Sequence, residues 1–352
     1  MALRQEHAPR SRDNAPQLWQ RRHDMDTVLP VLVVALLAAC GDDAVHHLPD
    51  GPPGGDGATA DVSTVDHDST ILITQSPGGP LNNDPATWGG LLQYQVTGDG
   101  SALVAAAGIP KTMVQDPVAV AFQASTHELF VGERHGNNAA DGVAGSITRF
   151  LYDQATHTFT AHGEITGKAL AGVHQVAFSP TTGELFAANV NGPISRFTAD
   201  GAANGTLPLG AVRGVVVAPD GKRLYASSAT NQIIQFDLAT GAQLASVTTS
   251  GNGQLHFFAL RDHDLYVGGF ADNAVHRYRI GSDDELAFVQ DIAADSPVGV
   301  AFSADGLEMF VTGHKTSDLL DRFRYDAASD TWIKTDAIDQ GVSLGGVVIL
   351  PG

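Results

Sequence analysis

The sequence is poor in cysteine and in basic residues. Its 352 residues include one cysteine, and 20 lysines and arginines stand against 39 aspartates and glutamates. A single thiol excludes an internal disulfide, and the net charge of −19 argues against nucleic acid and anionic lipid surfaces as partners. The chain also lacks the HExxH, CxxC and P-loop motifs that mark common metal, redox and nucleotide sites.

An apolar run at residues 28–39 is too short to cross a membrane. It has twelve residues, whereas a transmembrane helix needs about 20. Arg21 and Arg22 precede the run and small residues end it, which is the order of a secretory signal peptide. The sequence LAAC ending at Cys40 resembles the lipobox of bacterial lipoproteins. This resemblance implies that residues 1–40 are a signal peptide and that Cys40 is lipidated.

The segment that follows has the composition of a flexible linker. Residues 41–69 are rich in Pro, Gly, Asp and His and contain no Lys or Arg. Because so little apolar surface is available for burial, we expect a disordered acidic tether. Removal of residues 1–40 would leave 15 basic against 35 acidic residues. Contact with a membrane is therefore expected through the lipid anchor only, at the outer membrane or the periplasmic face of the bacterial cell envelope.

A short pattern recurs six times along the rest of the chain. It consists of an aliphatic residue, any residue, Arg or Gln, and then Phe or Tyr. The copies are LLQY ending at Tyr94, ITRF at Phe150, ISRF at Phe197, IIQF at Phe236, VHRY at Tyr278 and LDRF at Phe323. The spacings between the closing aromatics, 56, 47, 39, 42 and 45 residues, are near the period of a propeller blade. Since all six copies share the Arg or Gln, we interpret that position as structural.

Further apolar strands surround each copy. A second strand such as LFVG or LYAS precedes every copy, a third precedes five of them, and a weaker strand follows, giving four short strands per repeat. The first repeat lacks its inner strand, while the chain closes with SLGGVVILPG. We therefore predict an all-β, six-bladed β-propeller over residues 70–352. Its ring is closed by residues 347–350 pairing with residues 71–74 of the first blade.

The repeats resemble a known group of bacterial propellers. The segments SPTTGELF, APDGKRLY, FSADGLEMF and QFDLATG are similar to repeats of YVTN-type and lactonase-type β-propellers. The resemblance extends over about residues 70–350. Because it depends on blade-building residues, it implies the fold and leaves the activity open.

A candidate site follows from positions at which the repeats differ. In a propeller, inner strands begin and second strands end on one face of the ring, here named the top face. Aligning the inner strands places five residues in one column at the mouth of the channel: Val118, His174, Arg213, His256 and Val298. Three neighbouring blades thus offer polar groups there.

Loops of the first two blades supply a second set of candidates. These two blades carry long connections between the second and third strands, QSPGGPLNNDPATWGG and ERHGNNAADGVAGS. Glu133 and His135 are expected on the wall formed by these loops, with Asn189 and His314 near it. Loops on a rigid scaffold commonly carry function.

Several uses of these residues remain open. Two imidazoles with a third from His135 or His314 suit Zn²⁺, as in NHL-type propeller lyases. A histidine base beside Arg213 suits hydrolysis of an anionic lactone. The calcium-dependent gluconolactonases need a carboxylate and amide cluster, for which Glu133 and Asn189 are the candidates. The interpretation that we favour is that the histidines are ordinary polar residues lining a wet channel, and the pattern itself requires no cofactor.

We therefore expect a binding module rather than an enzyme. Its top face would bind a small anionic ligand or an envelope protein, and the chain is expected to be a monomer. Hydrolysis of a lactone-like substrate is the alternative, followed by a metal-dependent lyase.

Overall fold

The fold is described from a computed structural model. It describes residues 69–75, 89–97, 102–135, 145–167, 169–228, 230–251, 254–314, 319–340 and 343–351. The predicted signal peptide with Cys40, and residues 41–68 of the predicted tether, lie outside the described residues. Within the described part, no helix is long and apolar enough to cross a bilayer.

The described residues form 24 β-strands in six sheets of four. Blade one contains β1 (Thr70–Gln75), β2 (Leu91–Val96), β3 (Leu103–Ala106) and β24 (Leu344–Leu350). Blade two contains β4 (Pro117–Gln123), β5 (Glu128–Glu133), β6 (Ser146–Asp153) and β7 (Thr158–Ile165). Blade three contains β8 (Val173–Phe178), β9 (Leu185–Asn189), β10 (Ile194–Phe197) and β11 (Ala203–Leu207).

The second half of the ring repeats the arrangement. Blade four contains β12 (Val215–Val217), β13 (Arg223–Ser227), β14 (Gln232–Asp237) and β15 (Gln243–Thr248). Blade five contains β16 (Leu255–Arg261), β17 (Asp264–Gly269), β18 (Ala274–Ile280) and β19 (Leu286–Ala293). Blade six contains β20 (Pro297–Phe302), β21 (Glu308–Gly313), β22 (Leu319–Asp326) and β23 (Thr331–Asp339). The predicted six-bladed β-propeller is confirmed.

The ring closes through the last strand of the chain. β24 lies beside β1 in blade one, and Ile71 pairs with Ile349, Leu72 with Val348 and Ile73 with Val347. β24 also contacts β20 and β4, the inner strands of the two neighbouring blades. The predicted closure is confirmed, and it leaves no open edge on the axial side of blade one.

The core consists of apolar layers between adjacent blades. Six clusters of buried residues each combine side chains from two neighbouring blades. Three central residues of β1 show why the strands are apolar on both faces. Ile71 and Ile73 pack toward blade six, whereas Leu72 packs toward blade two. Alternate side chains of one strand thus fill two different layers.

The repeated arginines stabilise individual blades. Arg149, Arg196, Arg277 and Arg322 each bind the acidic residue that begins, or directly precedes, the second strand of the same blade; these partners are Glu128, Glu184, Asp264 and Glu308. Each guanidinium also lies within 6 Å of an aromatic ring on that second strand. The repeated motif therefore has a structural explanation, and the candidate site lies elsewhere.

Candidate functional site

The column predicted at the mouth of the channel has a common backbone geometry. Each of its five residues lies two positions after a residue with positive φ; these residues are Asp116, Gly172, Ala211, Gln254 and Ser296. In four blades the column residue also lies at a β-bulge, where the ladder between the inner and second strands shifts register. A bulge redirects one side chain out of the ladder, which is how the inner strands aim these residues toward the axis.

Blade four replaces the bulge by a side-chain contact. The Oγ of Ser227, at the end of β13, accepts hydrogen bonds from the backbone N–H groups of Arg213 (3.1 Å) and Gly214 (2.7 Å). Gly214 also has no room for a side chain, since a Cβ there would lie 2.1 Å from the carbonyl oxygen of His256. The close approach brings Arg213 next to the blade that carries His256.

The apolar members of the column fill the axis. Val118 and Val298 pack with Phe257 in one buried cluster, and Phe270 lies against it. Phe257 reaches blade one, because its ring lies 3.0 Å from the point where a Cβ on Gly346 would stand. At this level the channel is packed with side chains rather than filled with solvent.

His174 and His256 lie side by side against this apolar cluster. Their ring centroids are 5.2 Å apart, and the ring of Phe257 lies 5.3 Å from that of His174. Burial lowers the pKa of His174 well below its ordinary value, and the nearby positive charges of His256, Arg213 and Arg134 lower it further. The Nδ1 of His174 is buried and has no hydrogen-bond partner among the described residues. The imidazole of His174 is therefore neutral at physiological pH.

Arg213 is the cationic member of the column. Its side chain is half-buried, and burial lowers the pKa of its guanidinium. Nevertheless an arginine stays protonated in proteins. No carboxylate in the described ranges forms an ion pair with it, in contrast to the repeated arginines of the blades. A partly desolvated guanidinium that has no counter-ion among the described residues is suited to an anionic group from outside the chain.

His314 extends the row of rings at the top face. The ring of Phe270 stands between two imidazoles, with centroids 5.0 Å from that of His256 and 5.9 Å from that of His314. The Nδ1 of His314 lies 3.3 Å from the carbonyl oxygen of Leu344, so His314 also contacts the closing strand.

Glu133 and Asn189 bond within their own blades. The carboxylate of Glu133 is fully buried and accepts hydrogen bonds from Ser146 Oγ (2.8 Å) and Thr148 Oγ1 (2.7 Å). Asn189 is also fully buried; its Oδ1 accepts from the N–H of Ala171, and its Nδ2 donates to backbone carbonyls. Both are the last residues of second strands. Their polar groups hold top-face turns in place, and among the described residues neither forms a hydrogen bond with His174.

His135 belongs to a cluster that the sequence only partly indicated. Its Nδ1 lies 2.6 Å from Oδ2 of Asp116, a fully buried carboxylate that also binds Arg134. Burial opposes the ionisation of Asp116, but hydrogen bonds from His135 and Arg134 outweigh it and hold its pKa below the ordinary value. Asp116 and Arg134 were not among the predicted residues. The signals that identify them are the ERH triplet and the position of Asp116 two residues before the column.

The described residues contain no group of three or more His, Cys, Asp or Glu side chains that could hold a metal ion. His174 and His256 have no third imidazole in such a group, and the oxygens of Glu133 and Asn189 are used in the bonds given above. The residues in place do not form the ligand sets that Zn²⁺ or Ca²⁺ require.

The sequence contains one G-x-S-x-G match, at residues 341–345. In hydrolases with this motif the serine lies on a turn between a strand and a helix. Here Ser343 directly precedes β24, and the described part of the chain contains no helix. The match therefore does not form a nucleophile elbow.

A groove of about 440 Å³ opens on the outer side of the ring, between blades four and five. Ile233, Val247 and Leu286 form its apolar floor, and Asp284 lies at its edge. Asp284 is bound by Arg223 of blade four (3.1 Å), so the pair joins the two blades. None of the predicted site residues lines this groove.

Comparison with known proteins identifies a fold and no family. No protein-family model matches the chain, and no curated protein matches it. The YVTN part of the resemblance therefore stays a prediction. Many solved structures are similar, and three of them show the range.

A candidate 6-phosphogluconolactonase from Bacteroides uniformis has 14% identity and a TM-score of 0.56, covering 78% of this chain and 84% of that one. The periplasmic gluconolactonase of Pseudomonas aeruginosa has 16% identity and a TM-score of 0.56, covering 77% and 83%. A chain of the nidogen–laminin complex has 14% identity and a TM-score of 0.57, covering 80% and 98%. The chain thus has the β-propeller fold that lactonases share with a component of a protein–protein complex.

Proposed function

We propose that the protein binds a small anionic ligand at the top face of the propeller, with Arg213 as the group that contacts the anion. The observation that carries this proposal is the half-buried guanidinium of Arg213, which has no carboxylate partner in the described ranges. His174 and His256 lie beside it as a compact pair against Phe257. An anion at this position gains charge-assisted hydrogen bonds from Arg213 without displacing an internal ion pair.

Burial favours binding over catalysis at this site. His174 is 7% exposed and His256 is 9% exposed, whereas Arg213 is only half-buried. A ligand therefore reaches the guanidinium directly but touches only the edges of the imidazoles. Proton transfer needs a base within about 3 Å of the reacting group, a stricter demand than anion binding.

The test is the Arg213→Ala variant, with butyrate, gluconate and inorganic phosphate as probes in titration calorimetry. We expect the loss of about 1.5 to 3 kcal/mol of binding free energy, the value of a hydrogen bond to a charged group. The free energy of unfolding should change by less than about 1 kcal/mol, since the side chain is outside the apolar core. Arg324→Ala, which removes an exposed arginine from β22, is the control. Equal anion affinity in wild type and Arg213→Ala would refute the proposal.

Lactone hydrolysis is the second candidate. Two of the similar structures are lactonases, one of them a candidate, and the neutral imidazole of His174 beside Arg213 offers a base and an anion-binding group. Hydrolysis adds water across the ring ester, breaks the acyl C–O bond and releases one proton at neutral pH. The test measures proton release from δ-gluconolactone by pH-stat. The rates of wild type, His174→Gln and His256→Gln are compared with the rate in buffer alone. A rate equal to that of buffer removes this candidate and leaves the binding proposal standing.

We also propose that the propeller is exported and held at the cell envelope by a lipid on Cys40. The support is the order of basic residues, apolar run and LAAC sequence at residues 21–40. On this proposal the anionic ligand is one that is available outside the cytoplasm.

A further inference from the structure

A second arginine approaches His174 from the other neighbouring blade. Arg134 follows β5 of blade two, Arg213 precedes β12 of blade four, and His174 lies in blade three between them. The Cγ of Arg134 lies 3.8 Å from the point where a Cβ on Gly172 would stand, two residues before His174. The top-face site is thus flanked by arginines from both sides.

Arg134 is held in a fixed orientation by Asp116. Its Nε donates to Oδ2 of Asp116 (2.8 Å), its Nη2 donates to Oδ1 (3.1 Å), and its backbone N–H bonds to the carbonyl of Asp116 (3.2 Å). Asp116 itself is fully buried. A bidentate pair of this kind fixes the plane of the guanidinium.

The fixed orientation leaves one edge of Arg134 available. Its Nη1 carries two hydrogens, and no hydrogen bond from Nη1 to a described residue is formed. The side chain keeps 17% of its surface exposed. Because the charge of Arg134 is compensated by Asp116, its contribution to a ligand is directional donation from Nη1 rather than net attraction. Donors that are already oriented lose little conformational entropy when a ligand binds.

We propose that the ligand carries two anionic groups, one bound by Arg213 and the other by Nη1 of Arg134. This inference rests on the proposed anion-binding function and specifies the ligand class as a dianion whose two charges are separated by a spacer. The cluster Asp116–Arg134–His135 is then the second half of the binding site. A monoanion would use Arg213 alone.

The experiment uses straight-chain dicarboxylates of increasing length to find the separation of the two anionic groups that binds best. Affinities of succinate, glutarate, adipate, pimelate and suberate for the full chain are measured by calorimetry at low ionic strength, each beside the monocarboxylate of equal length. We expect one dicarboxylate length to bind at least tenfold more tightly than its monocarboxylate. In Arg134→Gln that advantage should disappear while the monocarboxylate affinity stays within twofold of wild type.

The matched control is Arg196→Gln. Arg196 binds Glu184 through the same two nitrogens, at 2.8 and 3.0 Å, but it belongs to the repeated structural set. This variant should keep the full preference for dicarboxylates. If Arg134→Gln does not fold because Asp116 is left buried without its cation, the double variant Asp116→Asn/Arg134→Gln is used instead. It removes both charges together.

The outcomes separate the two proposals. A selective loss of dicarboxylate preference in Arg134→Gln supports the inference. No preference in wild type at any length, or an equal loss for both ligand classes in Arg134→Gln, overturns it while Arg213-dependent binding of monoanions stands. Absence of any anion binding to wild type overturns the proposed function as well.

Discussion

Glu133 is a carboxyl group placed where ionisation is costly. It lies in a fully buried position on the face of blade two that packs against blade one. Burial raises its pKa to about 7, although hydrogen bonds from Thr148, Ser146 and the backbone of Gln115 favour the ionised form. Between the unfolded pKa of about 4.5 and the folded value, the folded chain holds this proton more tightly than the unfolded chain. The contribution of Glu133 to stability therefore decreases as the pH rises through that window.

Replacing Glu133 by Gln should remove this dependence. Relative to wild type, the free energy of unfolding of Glu133→Gln should rise by about 1.4 kcal/mol per pH unit between pH 4.5 and 7, or about 3 kcal/mol in total, and level off above pH 7. Urea denaturation at pH 5, 6, 7 and 8 measures the difference. Leu244→Ala, which changes a 49% exposed side chain on β15 and removes no titrating group, should give a difference that does not depend on pH. Parallel stability curves for wild type and Glu133→Gln would contradict the assignment.

Single residues differ in how far the sequence predicts their positions. His174, Arg213 and His256 could be placed together because the strand pattern fixes their register, and register fixes the direction of each side chain. For Arg134 and Glu133 the same argument is insufficient. They are adjacent at the end of β5, yet one side chain enters the layer between blades and the other turns over the top face. The turn after the strand decides this, and its conformation depends on a partner, Asp116, from another loop.

At the scale of the strand, the segments that lead into the inner strands contain residues with a strained backbone conformation. Asp116, Ala211, Gln254 and Ser296 have positive φ values, a conformation that costs a non-glycine residue about 1 kcal/mol. In β24 the bulge lies at two consecutive glycines, Gly345 and Gly346. A Cβ on Gly346 would lie 3.0 Å from Val118 O, Val120 N and the ring of Phe257. The closing strand therefore leaves no room for a side chain at this position.

Removal of β24 should open the ring. A chain that ends at residue 342 loses the fully buried Leu344 and Leu350 and exposes the edge of β1, so it should melt far lower or aggregate. A synthetic peptide of residues 343–352 should restore the melting temperature by adding the missing strand. Thermal denaturation followed by circular dichroism, with and without peptide, measures both effects.

Two point variants control for the truncation. Leu350→Ala should cost about 2 to 5 kcal/mol because Leu350 is fully buried. Leu244→Ala on the outer strand β15, where the side chain is 49% exposed, should cost less than about 1 kcal/mol. A truncated chain as stable as wild type would show that β24 does not close the ring in solution.

At the scale of the molecule, the sequence predicts the number of blades and their closure. Six copies of one pattern and an unpaired strand at each end leave few other topologies. The ligand is not predictable in the same way, because the residues shared by the blades serve packing and the ion pairs that stabilise the blades. What distinguishes one propeller site from another is the small set of positions, such as Arg213 and Arg134, at which the repeats differ.

The lipid anchor concerns the chain as a whole and is tested separately. If Cys40 is the acyl acceptor, Cys40→Ser should release the protein from membranes of a bacterial host or leave its N-terminal segment uncleaved. Fractionation with intact-mass analysis of the wild type and the variant measures this. Ser63→Ala, a change in the predicted tether, should leave fractionation unchanged. A soluble wild-type protein with residues 1–40 still attached would disprove the anchor.

Closure of blade one by the two ends of the propeller has a kinetic consequence. Thr74 contacts the carbonyl of Gly346, a residue 272 positions away. Contacts at such separations form late, since the entropy of a very long loop must be overcome before they gain stability. Once formed, the same contacts make local unfolding of blade one rare. β1 and β24 cannot fray independently, as the free ends of an open sheet do. The backbone amides of these two strands should therefore be among the slowest to exchange with solvent, and a ligand that joins blades two and four would slow them further.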